Sequence, residues 1–213
     1  MQQHSDSSNP LITAFPAKLA SDAEAVLAVM PASRLRPHAP FSVAVGDQQV
    51  VIPGRLYNDE PSTDAVASLS SRQRQLLHCL YSRHCDGVVR QRHLENVVGS
   101  TDPWVVPFVV QLAGEYVVEI LVVICDELRD LATPGTRGHL AYGQFIVDNP
   151  AFFARTQRRV VSYWNCYYRG TYASFRGYPG CTLLDLLRSA ASDRAGHPWP
   201  NLAPAGTTVD GYC

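Results

Sequence analysis

The chain has 213 residues, of which 46% are hydrophobic, so it can bury a core and fits one domain with appendages better than two domains. The formal net charge of −1 excludes a general electrostatic attraction to nucleic acid or to membranes. Only Lys18 among the 18 basic residues is a lysine. This bias, together with abundant Ala, Val, Pro and Gly, indicates a high-GC genome such as that of an actinobacterium.

The N-terminal part of the chain predicts little regular structure before a single hairpin. Residues 1–39 are rich in Ser, Pro and Ala and are expected to be extended or partly disordered. Alternating valines on both sides of a Gly-Asp turn predict a small β-hairpin at 41–52. One helical domain that includes the hairpin is expected over 40–190, followed by an irregular tail at 191–213.

Apolar residues at helical spacing predict short helices through the rest of the domain. The first follows serine caps in "SLSSRQRQLLHCLYSRH", and the second is capped by Asp86 and stopped by Gly99. A third helical region starts at Asp102 and Pro103, and a fourth is capped by Asn149. The stretch "PGCTLLDLLRSAAS" predicts the last short helix.

The most apolar stretch, "PWVVPFVVQLAGEYVVEILVVICDEL" (103–128), has a length that could span a membrane, which needs about 20 apolar residues. Glu115 and Glu119 argue against a span, because a carboxylate at mid-bilayer costs about 2.5–3.5 kcal/mol. A break near Gly114 is expected instead, giving two short helices or one bent helix at the centre of the fold. The predicted fold class is mainly α, as stacked helix pairs or an irregular helical bundle with a small N-terminal β-hairpin.

The segment "LLHCLYSRHCDGVVRQRHLENVVG" (76–99) resembles the HEAT-repeat family, in which a turn with Asp is followed by Val-Arg. The corresponding residues are Asp86, Val89 and Arg90. Residues 104–128 could form a following pair, so the resemblance covers about 50 residues of this chain. It implies stacked helix pairs that present a surface to a protein partner.

Two acidic residues are the candidate catalytic groups. On one continuous helix, Glu115 and Glu119 would share a face, and burial of both would raise the pKa of one of them for acid–base chemistry. The alternative is structural ion pairing with arginines of adjacent helices. In that interpretation Asp86 and Arg90 also belong to structural ion pairs.

Segment 152–178 combines arginines with aromatic residues and contains no acidic residue. The candidate binding residues are Arg155, Arg158, Arg159, Arg169, Tyr163, Trp164 and Tyr168. Arginine beside exposed aromatics is typical of proteins that hold phosphates while stacking bases. The alternative is an aromatic stripe in the core and an arginine stripe in solvent.

A group of His and Cys residues raises the question of a metal. His78, Cys79, His84 and Cys85 suit zinc chemically, but their spacing fits no chelate, so no metal is predicted. No cofactor motif occurs, and no cofactor is expected. The scattered cysteines without a Cys-x-x-Cys pair favour reduced thiols and a cytoplasmic location.

Three functions follow from these patterns. The leading prediction is a non-catalytic binding or scaffold protein that engages a protein partner or forms a homo-oligomer. The second is binding of nucleic acid or another polyanion through segment 152–178. The third is a small helical enzyme that uses Glu115 and Glu119. A membrane partner is not expected.

Overall fold

The computed structural model of the protein describes residues 9–203, which form a mainly helical fold with one two-stranded antiparallel sheet. The predicted fold class is confirmed. The strands are β1 (Phe41–Val45) and β2 (Gln48–Ile52). The helices are α1 (Ala20–Val29), α2 (Thr63–Ala67), α3 (Ser71–Tyr81), α4 (Gly87–Glu95), α5 (Val106–Ala113), α6 (Val118–Glu127), α7 (Arg137–Asp148), α8 (Pro150–Tyr163) and α9 (Pro179–Ala195).

The segment before the hairpin is helical rather than extended, which corrects the prediction for residues 10–29. Asn9 caps a 3-10 turn at Pro10–Ala14 by accepting a hydrogen bond from the amide of Leu11, and α1 then packs on α3. Leu11 and Phe15 are buried in the core. Leu19, Ala23, Val26 and Met30 continue this buried series at intervals of three or four residues, a helical spacing that a prediction from composition overlooks. Residues 1–8 and 204–213 lie outside the described part.

The predicted hairpin is confirmed, and its register pairs Val43 with Val50. Gly46 adopts a φ of +62° at the turn, a backbone conformation that glycine adopts at little cost. Asn149 joins this hairpin to the helices, since its side chain accepts from the amide of Ala44 at 2.7 Å and donates to the Ala44 carbonyl at 3.0 Å. Asn149 therefore does not cap α8 with its side chain as predicted.

Helices α3 and α4 form a packed pair with strong local start signals. Ser70 and Gln73 form a capping box at α3, and the Asp86 carboxylate accepts from two amides at the start of α4. The chain after β2 crosses the end of α3, where the amide of Leu56 donates to the carbonyl of Arg83 and the amide of Cys85 donates to that of Leu56. These bonds hold the segment 53–57 against the α3–α4 turn.

The apolar stretch 103–128 folds into α5 and α6, separated by four non-helical residues that begin at Gly114. Every residue of α5 is buried, and α6 buries Ile120, Leu121 and Ile124. Within residues 9–203, no helix combines the length and apolar character needed to cross a membrane.

The three C-terminal helices α7, α8 and α9 pack around the central helices α5 and α6. Helix α7, which was not predicted, packs closely along α9, where Gly143 leaves room for the carbonyl of Ala190. Helix α8 continues into a π-helical turn at Trp164–Tyr168. Helix α9 extends to Ala195, beyond the predicted domain end at 190, and stops at Gly196 with a φ of +74°.

Candidate functional site

Glu115 lies in the turn between α5 and α6, fully buried among three arginines. Arg55 donates to both carboxylate oxygens, at 2.9 and 2.8 Å. Arg83 donates to one oxygen at 3.3 Å, and a terminal nitrogen of Arg90 lies 3.7 Å from the other. We call these four residues the Glu115 hub.

The hub forms where three segments that each carry an arginine meet the turn between α5 and α6. Arg55 belongs to the segment 53–57, which lies across the end of α3. Arg83 lies just after α3 and also donates to the carbonyl of Gly54 at 2.9 Å. Arg90 sits on the first turns of α4 and donates to the carbonyls of His84 and Cys85, each at 2.9 Å. Arg55 also donates to the carbonyl of Gly54, so each arginine bonds to a main-chain carbonyl as well as facing Glu115.

The electrostatics of the hub keep Glu115 ionised. Burial alone would raise the pKa of its carboxyl group, but the charges of Arg83, Arg55 and Arg90 outweigh burial and lower that pKa. Burial lowers the pKa of Arg83 to about 10, with Glu115 acting in the opposite direction. Since three guanidinium groups face one carboxylate, the hub retains an excess of positive charge.

The two acidic candidates do not form a pair. Glu119 belongs to α6 and is exposed, whereas Glu115 precedes that helix and is buried. The expectation of one helix face shared by both carboxylates is wrong, because the helix breaks between Ala113 and Val118. Asp86, also placed among the ion pairs, accepts from the amides of Val88 and Val89, which lower the pKa of its carboxyl group.

Next to the hub, three tyrosines and one arginine form a surface that we call the Tyr116 face: Tyr116, Arg159, Tyr163 and Tyr167. The ring of Tyr116 lies 6.0 Å from that of Tyr163 and 6.3 Å from that of Tyr167. The guanidinium of Arg90 lies 5.9 Å from the centre of the Tyr116 ring, and that of Arg159 lies 5.8 Å from the Tyr163 ring. Tyr116 and Tyr167 are 46% and 67% exposed.

A neighbouring stripe of α8 and its π-helical extension lines a cavity of about 400 Å³. Arg158, Asn165 and Arg169 contribute its polar groups, and Trp164 and Leu202 contribute apolar surface. The guanidinium of Arg169 lies 5.6 Å from the Trp164 ring and donates to the Asn165 side chain at 3.0 Å. This arrangement offers cationic and polar groups to one ligand, with the nearly buried edge of Trp164 beneath them.

The structure sorts the predicted binding residues into two groups. Arg155, Arg158 and Arg169 are exposed, and Arg159 and Tyr163 are half-buried. Trp164 is only 2% exposed and donates its ring N–H to the Tyr172 carbonyl at 3.0 Å. Tyr168 donates its hydroxyl hydrogen to the carbonyl of Tyr116. Trp164 and Tyr168 therefore support the Tyr116 face from its buried side.

The sequence did not single out Tyr116, Arg55 or Arg83, and Tyr167 lies inside the predicted binding segment 152–178 without being one of its candidate residues. Tyr116 stands between two carboxylates in an apolar stretch, and Arg55 lies in a segment that predicted only the end of a hairpin. The sequence offered one signal for this surface, the absence of acidic residues from 149 to 178. That signal indicated α8 but not which side of α8 is exposed.

A chain of hydrogen bonds links Glu60, His93 and His78. The Nε2 of His93 lies 2.7 Å from Glu60, and its Nδ1 lies 2.9 Å from Nδ1 of His78. Because a carboxylate only accepts, His93 donates from Nε2, and neutral His93 then accepts at Nδ1 from His78. Burial lowers the pKa of His78 to about 4, aided by His93 and Arg74.

The four zinc candidates do not converge. Cys79 is buried, Cys85 is exposed, and His84 accepts the amide of Asp86 at Nδ1. No group of three or more His, Cys, Asp or Glu residues with the geometry to hold a metal ion occurs in the part of the chain from 9 to 203.

Comparisons of the chain with protein-family models, with curated proteins and with solved structures find no significant match.

Replacing Glu115→Gln is expected to destabilise the protein by about 3–5 kcal/mol, because it leaves buried guanidinium groups without their counter-charge. The matched change Glu119→Gln, at an exposed position, should alter stability by no more than about 0.5 kcal/mol. Urea unfolding of both variants measures the difference. Equal stability of the two variants would contradict the role assigned to Glu115.

Acidification is expected to destabilise the protein between pH 6.5 and about 4. In this range His78 is protonated in the unfolded chain and neutral in the folded chain, so unfolding takes up a proton. The free energy of unfolding therefore decreases as the pH is lowered. His78→Gln should flatten this part of the stability–pH curve, measured by urea unfolding at stepped pH. The control variant His197→Gln, at an exposed position, should keep the slope of the parent protein. If His78→Gln also keeps that slope, His78 is not the group that causes the acid destabilisation.

Proposed function

We propose that this protein binds single-stranded nucleic acid through the Tyr116 face and the adjoining arginines of α8. The observation that carries the proposal is the clustering of exposed tyrosine rings, Tyr116 and Tyr167, with the guanidinium group of Arg159. Unpaired bases stack on aromatic side chains, while arginines hold the phosphates. The predicted binding of a polyanion is retained in this more specific form.

Local charge supports this proposal although the whole chain carries a net charge of −1. Residues 149–178 contain five arginines and no acidic residue, and the excess positive charge of the Glu115 hub lies under Tyr116. The cavity beside Arg158 and Arg169 could receive one nucleotide of the strand. Exposed Glu119 lies close enough to Tyr168 to raise the pKa of its hydroxyl group, so it opposes this positive potential.

Tyr167→Ala is expected to weaken binding of a fluorescent single-stranded oligonucleotide about 5- to 150-fold, since one base–aromatic stack is worth about 1–3 kcal/mol. Arg155→Ala/Arg158→Ala should weaken binding and reduce the dependence of affinity on salt, because fewer counterions are released. Fluorescence anisotropy over a salt series measures both effects.

The charge-matched control is Arg72→Ala/Arg129→Ala, which removes two exposed arginines from other elements. It should bind as the parent does. If heparin competes fully while Tyr167→Ala binds the oligonucleotide normally, the face recognises only a polyanion. If neither ligand is retained at low salt, the proposal fails.

A second candidate function is self-association through an apolar hollow beside the hairpin. The hollow has a volume of about 450 Å³ and is lined by Val45, Pro103, Ala141 and Phe145, with Leu140 52% exposed at its edge. A protruding leucine beside a hollow makes a surface that can pair with its own copy about a two-fold axis. The α3–α4 pair, with its HEAT-like sequence, supports the same scaffold function, and the cytoplasmic location predicted from the cysteines belongs to this proposal.

Leu140→Glu is expected to abolish this self-association without unfolding the protein, because the position is exposed. Sedimentation over a concentration series should give a dimer for the parent chain and a monomer for Leu140→Glu, with Tyr167→Ala still dimeric. A parent chain that stays monomeric at all concentrations would exclude this second function.

A further inference from the structure

A cleft lies between the N-terminal segment and the hairpin, and it shares no lining residue with the cavity at Arg158 or the hollow at Leu140. Its volume is about 1000 Å³, more than twice that of the hollow. Its walls come from the 3-10 turn Pro10–Ala14, the end of α1, the loop 31–37 and the end of β2. We call it the Leu35 cleft. A cavity of this size accommodates several residues of a bound peptide.

The apolar part of the Leu35 cleft is aliphatic. Five prolines line it together with Leu27, Met30, Leu35 and Val51, of which Leu35 and Val51 are 60% and 37% exposed. No aromatic residue is among the described residues that line it. Because unpaired bases bind by stacking on aromatic rings, these walls suit aliphatic side chains better than nucleotides. Methionine and leucine side chains adapt to such partners by changing rotamer.

The charge of the Leu35 cleft is entirely positive. Arg34 and Arg36 are its charged residues, both are exposed, and they flank Leu35 in the loop 31–37. Within residues 9–203 neither arginine forms an ion pair. A carboxylate in the cleft would gain two cationic neighbours and meet no acidic one. The charge of the cleft therefore favours an acidic occupant.

The main chain of Val51 adds a third means of recognition. Val51 pairs with Ser42 across the hairpin, two residues from the pair of Ala44 with Gln49. The amide and the carbonyl of Ala44 both bond to Asn149, outside the hairpin. Residues two apart on a strand direct these groups to the same side, so those of Val51 point away from β1. Within residues 9–203 they bond to no main-chain group outside the hairpin, so the edge of β2 at the cleft is open to an added strand.

We infer that the Leu35 cleft binds an extended acidic segment of a partner protein. Aliphatic side chains of that segment occupy the cleft, its carboxylates lie beside Arg34 and Arg36, and its main chain pairs with Val51. Each of these three contacts is made by groups that are exposed and without a partner of that kind in residues 9–203. The cleft is separate from the Tyr116 face, so this inference does not depend on the proposed binding of nucleic acid.

The test is selection of a displayed library of random peptides on the full chain, followed by fluorescence anisotropy with an enriched peptide. The enriched sequences should combine Asp or Glu with Leu, Ile, Val or Met. Arg34→Ala/Arg36→Ala should weaken binding of the enriched peptide about 2- to 30-fold, since two exposed ion pairs are lost. Leu35→Ala should also weaken it. The matched control Arg155→Ala/Arg158→Ala removes two exposed arginines of α8 and should bind the peptide as the parent does.

Two results would overturn the inference: no enrichment of acidic and aliphatic sequences, or unchanged affinity in Arg34→Ala/Arg36→Ala. If that variant does not fold, cross-linking of the peptide to the parent chain decides, with a cross-link to residues 31–37 in support and cross-links only elsewhere against. Arg34→Ala/Arg36→Ala should bind the single-stranded oligonucleotide normally, so the two proposals fail or stand separately.

The same variants identify a different occupant. A parent chain that self-associates and becomes monomeric in Arg34→Glu/Arg36→Glu would place a second copy in the cleft. Higher affinity of Asp6→Lys for the enriched peptide would show that residues 1–8, which precede Asn9 at the cleft, compete for it. Either result would overturn the assignment of the cleft to another protein.

Discussion

The ion pair between Glu115 and Arg55 is the contact on which the centre of this protein depends. It joins the chain after the hairpin to the turn between α5 and α6, and Arg83 and Arg90 add α3 and α4 to the same point. A buried carboxylate is stable only with such partners, so the four segments must arrive together. The hub thus sets the relative position of the hairpin, the α3–α4 pair and the two central helices.

The position of the Tyr116 face is set by the buried Glu115 hub. Tyr116 follows Glu115 directly in the chain, Arg90 lies under its ring, and Tyr168 donates to its carbonyl. The position of one exposed aromatic ring is therefore determined by charged residues that the solvent does not reach. Loss of Glu115 is expected to disturb ligand binding through this connection, while loss of Tyr167 acts on the ligand alone.

The distribution of charge matters more here than its total. Acidic and basic residues nearly cancel over the whole chain, yet the arginines of α8 and the hub occupy neighbouring positions with few carboxylates among them. The apolar hollow at Leu140 belongs to α7 and the hairpin, so its occupation would involve different elements from the Tyr116 face. The two proposed functions, binding of a strand and association of copies, are therefore compatible with each other in one chain.

Local signals in the sequence by themselves determined the hairpin, the α3 and α4 helices with their Ser70 and Asp86 caps, and the break at Gly114. These features rest on contacts between residues a few positions apart, which the sequence displays directly. Only the tertiary structure decided that Glu115 pairs with Arg55 and does not share a helix face with Glu119, and that Trp164 is buried while Tyr167 is exposed. Each of these outcomes depends on which distant segment covers a side chain, and no periodicity within a segment encodes that choice.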